Sequence, residues 1–362
     1  MRDLILQLSK SSIYSTKPFF IFIFFLISQA KAGSLDVGVY YYPGWNKPGV
    51  EVWEPIKKYP EREPILGWYQ DGDDNIIQKQ LAWMEKYGVT YIAYDWYWDE
   101  NTGVKNRTFA IDAYLRNSQA TNVKFALLWA NHTNTPKNSK EFDNIVNYWI
   151  DNYFKSSKYF TINRRPVVFV FSPQRLEMDG HKFNMDVPSL LKRARLLGNK
   201  KGLKDIYFVA STGYDENNNL IYKYPPNSYD AVSAYNYHIG ISNGIPKKNS
   251  YSYQELIAGY KYTWNKILSD SDLPYIIPVS SGWDRRPWGG SIPPEHDMSY
   301  GNPKEFGNML SEAKEEIKLH QDKALNNIII CCWNEYGEGS YIEPSKKYGF
   351  KFLDEIQKNK NF

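Results

Sequence analysis

Ile328-Ile329-Ile330-Cys331-Cys332-Trp333-Asn334-Glu335-Tyr336-Gly337-Glu338-Gly339-Ser340 is a short apolar run that stops at an amide and two carboxylates. Its first five residues are β-branched or small and apolar, the pattern of a strand buried on both faces. Strands buried on both faces belong to parallel sheets covered by helices, so this run points to an α/β fold. The two glycines bracket the second carboxylate, where they allow a sharp turn and a close approach of backbone to another group.

The same grammar extends back through the chain. An amphipathic run over Pro303–His320 precedes this strand, and a last helix is expected over Tyr348–Gln357. Seven earlier apolar runs read as strands: Leu35–Tyr42, Val89–Asp95, Val123–Trp129, Pro166–Phe171, Ile206–Ser211, Ala231–Tyr235 and Tyr275–Ser280. Helices are expected between them, from Asp73 or Asp74 to Tyr87 with Gly88 as the stop, and over Thr108–Asn117, Lys140–Phe154, Val187–Leu197 and Ser252–Leu268. The fifth unit is the exception, because Asp215–Pro226 is polar and proline-rich. Alternation of this kind requires right-handed crossovers between parallel strands, and eight units fit a (β/α)8 TIM barrel over residues 33–362. The competing open, doubly wound sheet is disfavoured because no glycine-rich phosphate loop follows a strand.

In such a barrel the residues just past the strand C-termini line one mouth, where active sites lie. Here they are Tyr41, Tyr42, Asp95, Trp96, Tyr97, Trp129, Asn131, His132, Tyr235, Asn236, Trp283, Asp284, Asn334, Glu335 and Glu338, with Arg286 close behind. Aromatic rings, amides and single carboxylates suit a hydroxyl-rich ligand with apolar ring faces. Glu335 and Glu338, three residues apart at a strand mouth, suit acid/base work on a glycosidic bond. No cofactor or metal is expected, since His132 has no partner at HxH or HxxxH spacing.

The 362 residues carry a net charge of +4 with acids and bases intermixed, and no basic block points to nucleic acid. The 30 Tyr, 18 Phe and 12 Trp favour a carbohydrate partner weakly, because aromatics also fill ordinary cores. Residues 1–32 read as a signal peptide, with Arg2, Lys10 and Lys17 ahead of the apolar Phe19–Ile27 and a small-x-small site at Ala30-Lys31-Ala32. The apolar stretch is roughly half the ~20 residues a spanning helix needs. Export to the periplasm or the outside is expected, with membrane anchoring as the outcome if the leader is retained. Cys331 and Cys332 are adjacent in a strand and are expected to face opposite ways, as two small buried residues without a disulfide.

The run from Trp333 to Gly339, continued by Tyr341-Ile342-Glu343-Pro344, resembles the signature of glycoside hydrolase family 99 and its WbsX-like relatives. Tyr41-Tyr42-Pro43, Asp95-Trp96-Tyr97-Trp98, Trp129-Ala130-Asn131 and Gly282-Trp283-Asp284 support it, and the likeness covers essentially the whole expected mature chain. The resemblance implies a barrel and metal-independent, retaining cleavage of α-mannosidic links within a chain. It assigns Glu335 the proton of the substrate's 2-hydroxyl and Glu338 the proton of the leaving oxygen, by way of a 1,2-anhydro sugar. Two departures bear on the substrate: His132 stands where relatives commonly carry glutamate, and the arginines follow Trp283-Asp284 directly. The expected partner is an oligo- or polysaccharide, with other proteins of polysaccharide assembly as a further class. Glycosyl transfer and a non-catalytic glycan-binding barrel are the alternatives.

Overall fold

Strands buried on both faces divide their side chains into two sets, and that division builds this protein. A computed structural model describes residues 35–46, 51–99, 101, 104–133 and 135–360. The expected signal peptide lies outside the described residues. Eight strands form the frame: β1 (Asp36–Tyr41), β2 (Tyr91–Asp99), β3 (Lys124–Trp129), β4 (Arg165–Val170), β5 (Tyr207–Ser211), β6 (Ala231–Ser233), β7 (Tyr275–Ser280) and β8 (Ala324–Cys331). Every neighbouring pair is parallel, and β1 pairs with both β8 and β2, which closes the sheet into a (β/α)8 TIM barrel. An open sheet is thereby excluded.

Alternation sorts the side chains. Val37, Val39 and Tyr41 of β1, Ile92, Tyr94, Trp96 and Trp98 of β2, and Ile328 and Ile330 of β8 point outward into one buried cluster shared with the helices. Tyr40, Tyr91, Ala93, Leu128, Phe169, Val209, Ile329 and Cys331 fill the interior. The interior is tight: a Cβ on Gly38 would lie 2.1 Å from the Tyr91 ring.

The covering helices are α1 (Asp74–Tyr87), α2 (Phe109–Asn117), α3 (Ser139–Trp149), α4 (Pro173–Lys182), α5 (Val187–Lys200), α6 (Tyr253–Asp270), α7 (Pro303–Leu319) and α8 (Lys351–Asn359). Asp73 caps α1 by accepting from the Asn75 amide at 2.8 Å, and Gly88 ends it in the left-handed region. As its composition predicts, Asp215–Pro226 holds no helix; Asp215 instead folds a turn by accepting from the amides of Asn217 and Asn219.

Four differences from the sequence reading have physical causes. Strand β2 runs on to Asp99 and pairs antiparallel with Val104–Asn106, because Trp96 and Trp98 continue the outward alternation against the α3 region. Helix α4 begins at Pro173, capped by Ser172, a Ser-Pro start signal. A hairpin joins Gly240–Ser242 to Ile245–Lys247 around Asn243-Gly244. Cys331 and Cys332 are joined by a disulfide across a cis peptide bond, which brings their Cα atoms to 3.0 Å and both side chains into the interior cluster. The expected divergence of the two side chains assumed a trans peptide.

Candidate active site

After β8 the chain folds a short hairpin, Asn334–Glu335 against Ser340–Tyr341, and this hairpin carries both glutamates. Three devices hold it. The Asn334 side chain grips the backbone just past β1, accepting from Tyr42 N at 2.9 Å and donating to Tyr42 O at 3.0 Å. The Glu338 carbonyl accepts from Asp284 N at 2.7 Å. Arg62, itself buried, pairs with Asp284 at 2.5 Å and donates to the carbonyls of Asp284 and Tyr336. Burial alone would push the Asp284 carboxyl up, but Arg286 and Arg62 outweigh it and hold it below its ordinary range.

The glutamates open on a cavity of about 330 Å³ lined by Tyr42, Asp95, Tyr97, Arg107, His132, Phe171, Tyr235, Trp288, Glu335 and Glu338, with Ala130 and Thr133 at its side. Asp95 and Glu335 are buried. The Tyr235 hydroxyl sits between them, 3.3 Å from Glu335 Oε1 and 3.4 Å from Asp95 Oδ2. One hydroxyl proton serves one carboxylate at a time. Glu335 Oε2 and Asp95 Oδ1 have no hydrogen-bond partner among the described residues. Buried carboxylate oxygens without donors are costly, and a ligand hydroxyl entering the cavity would supply the missing proton.

Electrostatics favours retained protons. Burial, then the charges of Glu338 and Asp95, push Glu335 well above the ordinary carboxylate range, against the Tyr235 hydrogen bond and the pull of Arg107. Burial raises Glu338 to about 7, with nearby Arg285 opposing. Asp95 is raised by burial and then by Glu338. Three carboxyls in one poorly solvated site do not all ionise near neutrality. Burial and the Arg107 charge lower His132, so its imidazole stays neutral.

Of the residues expected at the mouth, Tyr42, Asp95, Tyr97, His132, Tyr235, Glu335 and Glu338 meet in this cavity. The others do not line it. Tyr41 faces outward, its hydroxyl within donating reach of Asp71 at 2.9 Å and of Gln80 at 3.2 Å. Trp96 and Trp129 pack edge-on against Trp149 in the outer layer. Asn131 is fully buried and clamps the Ser172 backbone through both side-chain atoms. Trp283 stacks on His296 and donates to Ser291 Oγ. Asp284 and Arg286 are bound to each other by two hydrogen bonds, 2.8 and 2.6 Å, beside a smaller concavity. Asn334 works from beneath, as described, and Asn236 lines a neighbouring concavity. Arg107, Phe171 and Trp288 escaped the sequence reading. Phe171 stands at a strand end and was open to the same rule. Arg107 follows the hairpin strand Val104–Asn106, and Trp288 lies five residues beyond Trp283, so position relative to a strand end marked neither.

Comparison with known proteins agrees with this architecture. A structure described as a glycoside hydrolase-like protein superposes with a TM-score of 0.65 at 16% identity, over 91% of this chain and 94% of that one. The GH99 endo-alpha-mannosidase from Bacteroides thetaiotaomicron gives 0.60 at 16% identity, over 90% and 97%. A beta-glucosidase from Thermotoga maritima gives 0.54 at 12% identity, over 91% and 99%. At such identities the likeness shows the shared fold. By sequence, the uncharacterized protein WxcX of Xanthomonas campestris pv. campestris is 19% identical over 351 residues, 86% of this chain and 46% of that protein. The chain thus spans about half the length of the curated relatives it matches. The family profile described as "Glycosyltransferase WbsX" matches residues 57–356, so the chain belongs to the WbsX family.

Proposed function

We propose that this protein is an exported glycoside hydrolase that cuts internal, α-mannoside-like bonds of a polysaccharide with retention of configuration. The observation that carries the reading is the pair Glu335 and Glu338, delivered by one hairpin to one cavity beside a third carboxyl and a shared tyrosine hydroxyl. In the protonation state with Glu335 ionised and Glu338 protonated, Glu335, made the stronger base by its raised pKa, takes the proton of the 2-hydroxyl. The 2-oxygen attacks the anomeric carbon as its bond to the leaving oxygen breaks, and Glu338 gives its proton to that oxygen. Glu338 then takes a proton from water as the water opens the 1,2-anhydro ring, and Glu335 returns its proton to the 2-oxygen. A carboxyl poised at about 7 is matched to donating and accepting near neutral pH. The likeness to glycoside hydrolase barrels supports the scaffold, and the aromatic lining supports a sugar ligand.

The carboxyl cluster sets a pH expectation. Asp95 raises Glu335 through its charge, and Glu335 must be ionised to act as base. Asp95→Asn removes that charge, so the acid limb of the kcat/KM profile moves to lower pH. An acid limb that stays put or moves upward contradicts the coupling.

Gly337 makes a second expectation. A Cβ there would lie 2.1 Å from the Trp288 ring, which forms part of the cavity wall. Gly337→Ala displaces that ring or the hairpin, and about a 10- to 100-fold loss in kcat/KM is expected. Unchanged kinetics on glycan would remove Trp288 from the binding wall.

The family description favours one second reading, glycosyl transfer, in which a sugar hydroxyl replaces water in opening the anhydro ring. Export, as the leader predicts, would separate the protein from nucleotide sugars, leaving an acceptor glycan as the alternative to water. A panel of polysaccharides incubated with purified protein, with and without added acceptor, distinguishes the two. New reducing ends support hydrolysis, lengthened acceptor supports transfer, and glycan binding with neither product leaves a non-catalytic barrel.

A further inference from the structure

Past the Phe171 and Tyr235 rings, whose centroids are 5.4 Å apart, the mouth continues into a second concavity of about 190 Å³ above the ends of β4, β5 and β6. Both rings line both spaces, so the two are separated only by an aromatic ridge. Gln174, Ser211, Gly213, Ile221, Asn236 and His238 contribute to the second space. Among the described residues, none of its lining side chains is a carboxylate or an ammonium or guanidinium cation, in contrast to the acidic cavity next door.

The polar groups here are pre-set. Asn236 accepts from Tyr260 Oη at 2.9 Å, which fixes the amide. His296 Nδ1 lies 2.9 Å from the Ser250 carbonyl, an obligate acceptor, so that nitrogen carries a proton. Neutral His296 then accepts through Nε2 from His238 Nδ1 at 3.0 Å. His238 is left with Nε2 as an acceptor. Hydroxyl, carboxamide and imidazole acceptors around an exposed Ile221 face make a surface for an uncharged polyol ring.

We infer that this concavity is a second sugar subsite, which takes a neutral glycosyl unit of the chain whose cleaved linkage sits over Glu335 and Glu338. The inference rests on the proposed glycan substrate but not on its cleavage. It makes the protein a reader of chain length: the extra unit strengthens binding, and a carboxylated unit at that position is disfavoured because no cation faces it.

The test is calorimetric titration of the full chain, wild type and Ile221→Trp, with neutral α-manno-oligosaccharides from two to five units. Glu338→Gln provides an uncleaving background. The wild type is expected to bind longer oligosaccharides about 10-fold more tightly than the disaccharide, and the tryptophan, by filling the space, to remove that gain while leaving disaccharide binding unchanged. Gln174→Ala, a milder change on α4, is expected to reduce the gain in part. Affinity independent of length, an equal loss at every length in Ile221→Trp, or no binding of these neutral glycans overturns the subsite. Length-dependent binding without release of reducing ends or transfer products from the wild type would overturn the catalytic reading and leave the subsite standing.

Discussion

On the proposed mechanism, Glu338→Gln is expected to slow cleavage of a glycan by about 10²–10⁴-fold, the range for removal of a general acid, because an amide cannot protonate the departing oxygen. The loss depends on the leaving group. A glycosyl fluoride of the same sugar releases an anion that needs no proton, so Glu338→Gln forms the anhydro intermediate from it at close to the wild-type rate, read as the fluoride burst. Glu335→Gln behaves differently. The 2-hydroxyl must lose its proton whatever leaves, so Glu335→Gln is slow on glycan and fluoride alike. This split separates the two roles, which a common loss on both substrates would not. Wild-type turnover in both variants would remove the pair from the mechanism.

Glu343 carries the second large effect, and it lies outside the cavity. Its buried carboxyl accepts from Gln80 Nε2 at 2.7 Å, Tyr69 Oη at 2.8 Å and Tyr336 Oη at 2.8 Å. Tyr336 sits between Glu335 and Gly337 in the chain, and with Tyr69, Trp45 and Trp53 it forms an aromatic cluster behind the hairpin. Glu343→Ala leaves three buried donors without an acceptor, a cost of about 3–5 kcal/mol. The conservative Glu343→Gln makes the pH dependence readable. Burial raises Glu343 to about 7, above the ordinary 4.5, against the hydrogen bonds of Gln80, Tyr69 and Tyr336. A carboxyl with a raised folded-state pKa contributes most below its unfolded value, and the contribution is lost as pH rises through the folded value. The stability deficit of Glu343→Gln is therefore largest near pH 4.5 and shrinks by about 3 kcal/mol on approaching pH 7. Denaturant unfolding at several pH values measures it, and a deficit that grows with pH contradicts the account.

The barrel was legible because each strand is a short apolar run between polar, turn-rich segments, which is how a strand buried on both faces must read. Within the strands, a finer rule was available than the rule of strand ends. Alternation puts Asp95 and Tyr97 on the interior side and Trp96 and Trp98 on the helix side, and it separates Tyr42 from Tyr41 in the same way. A residue near a strand end belongs to the site only if it also has the inward parity. Asn131, Asn334 and Asp284 show a second limit: polar residues near a mouth are as readily used to tie backbone segments together as to face a ligand, and sequence does not reveal which backbone group will need a partner. Arg107 and Trp288 reach the cavity from excursions whose course depends on tertiary packing. The cysteine pair was misjudged for a local reason, since adjacent side chains diverge in a strand only while the peptide between them is trans.

The claim on which the rest depends is that Glu335 and Glu338 act on one anomeric centre through a 1,2-anhydro sugar. Proton NMR of the reducing end first formed from an α-linked glycan tests it most directly, because opening that ring from the opposite face restores the starting configuration. The account predicts that the α-anomer appears first and then mutarotates. The β-anomer appearing first would contradict it.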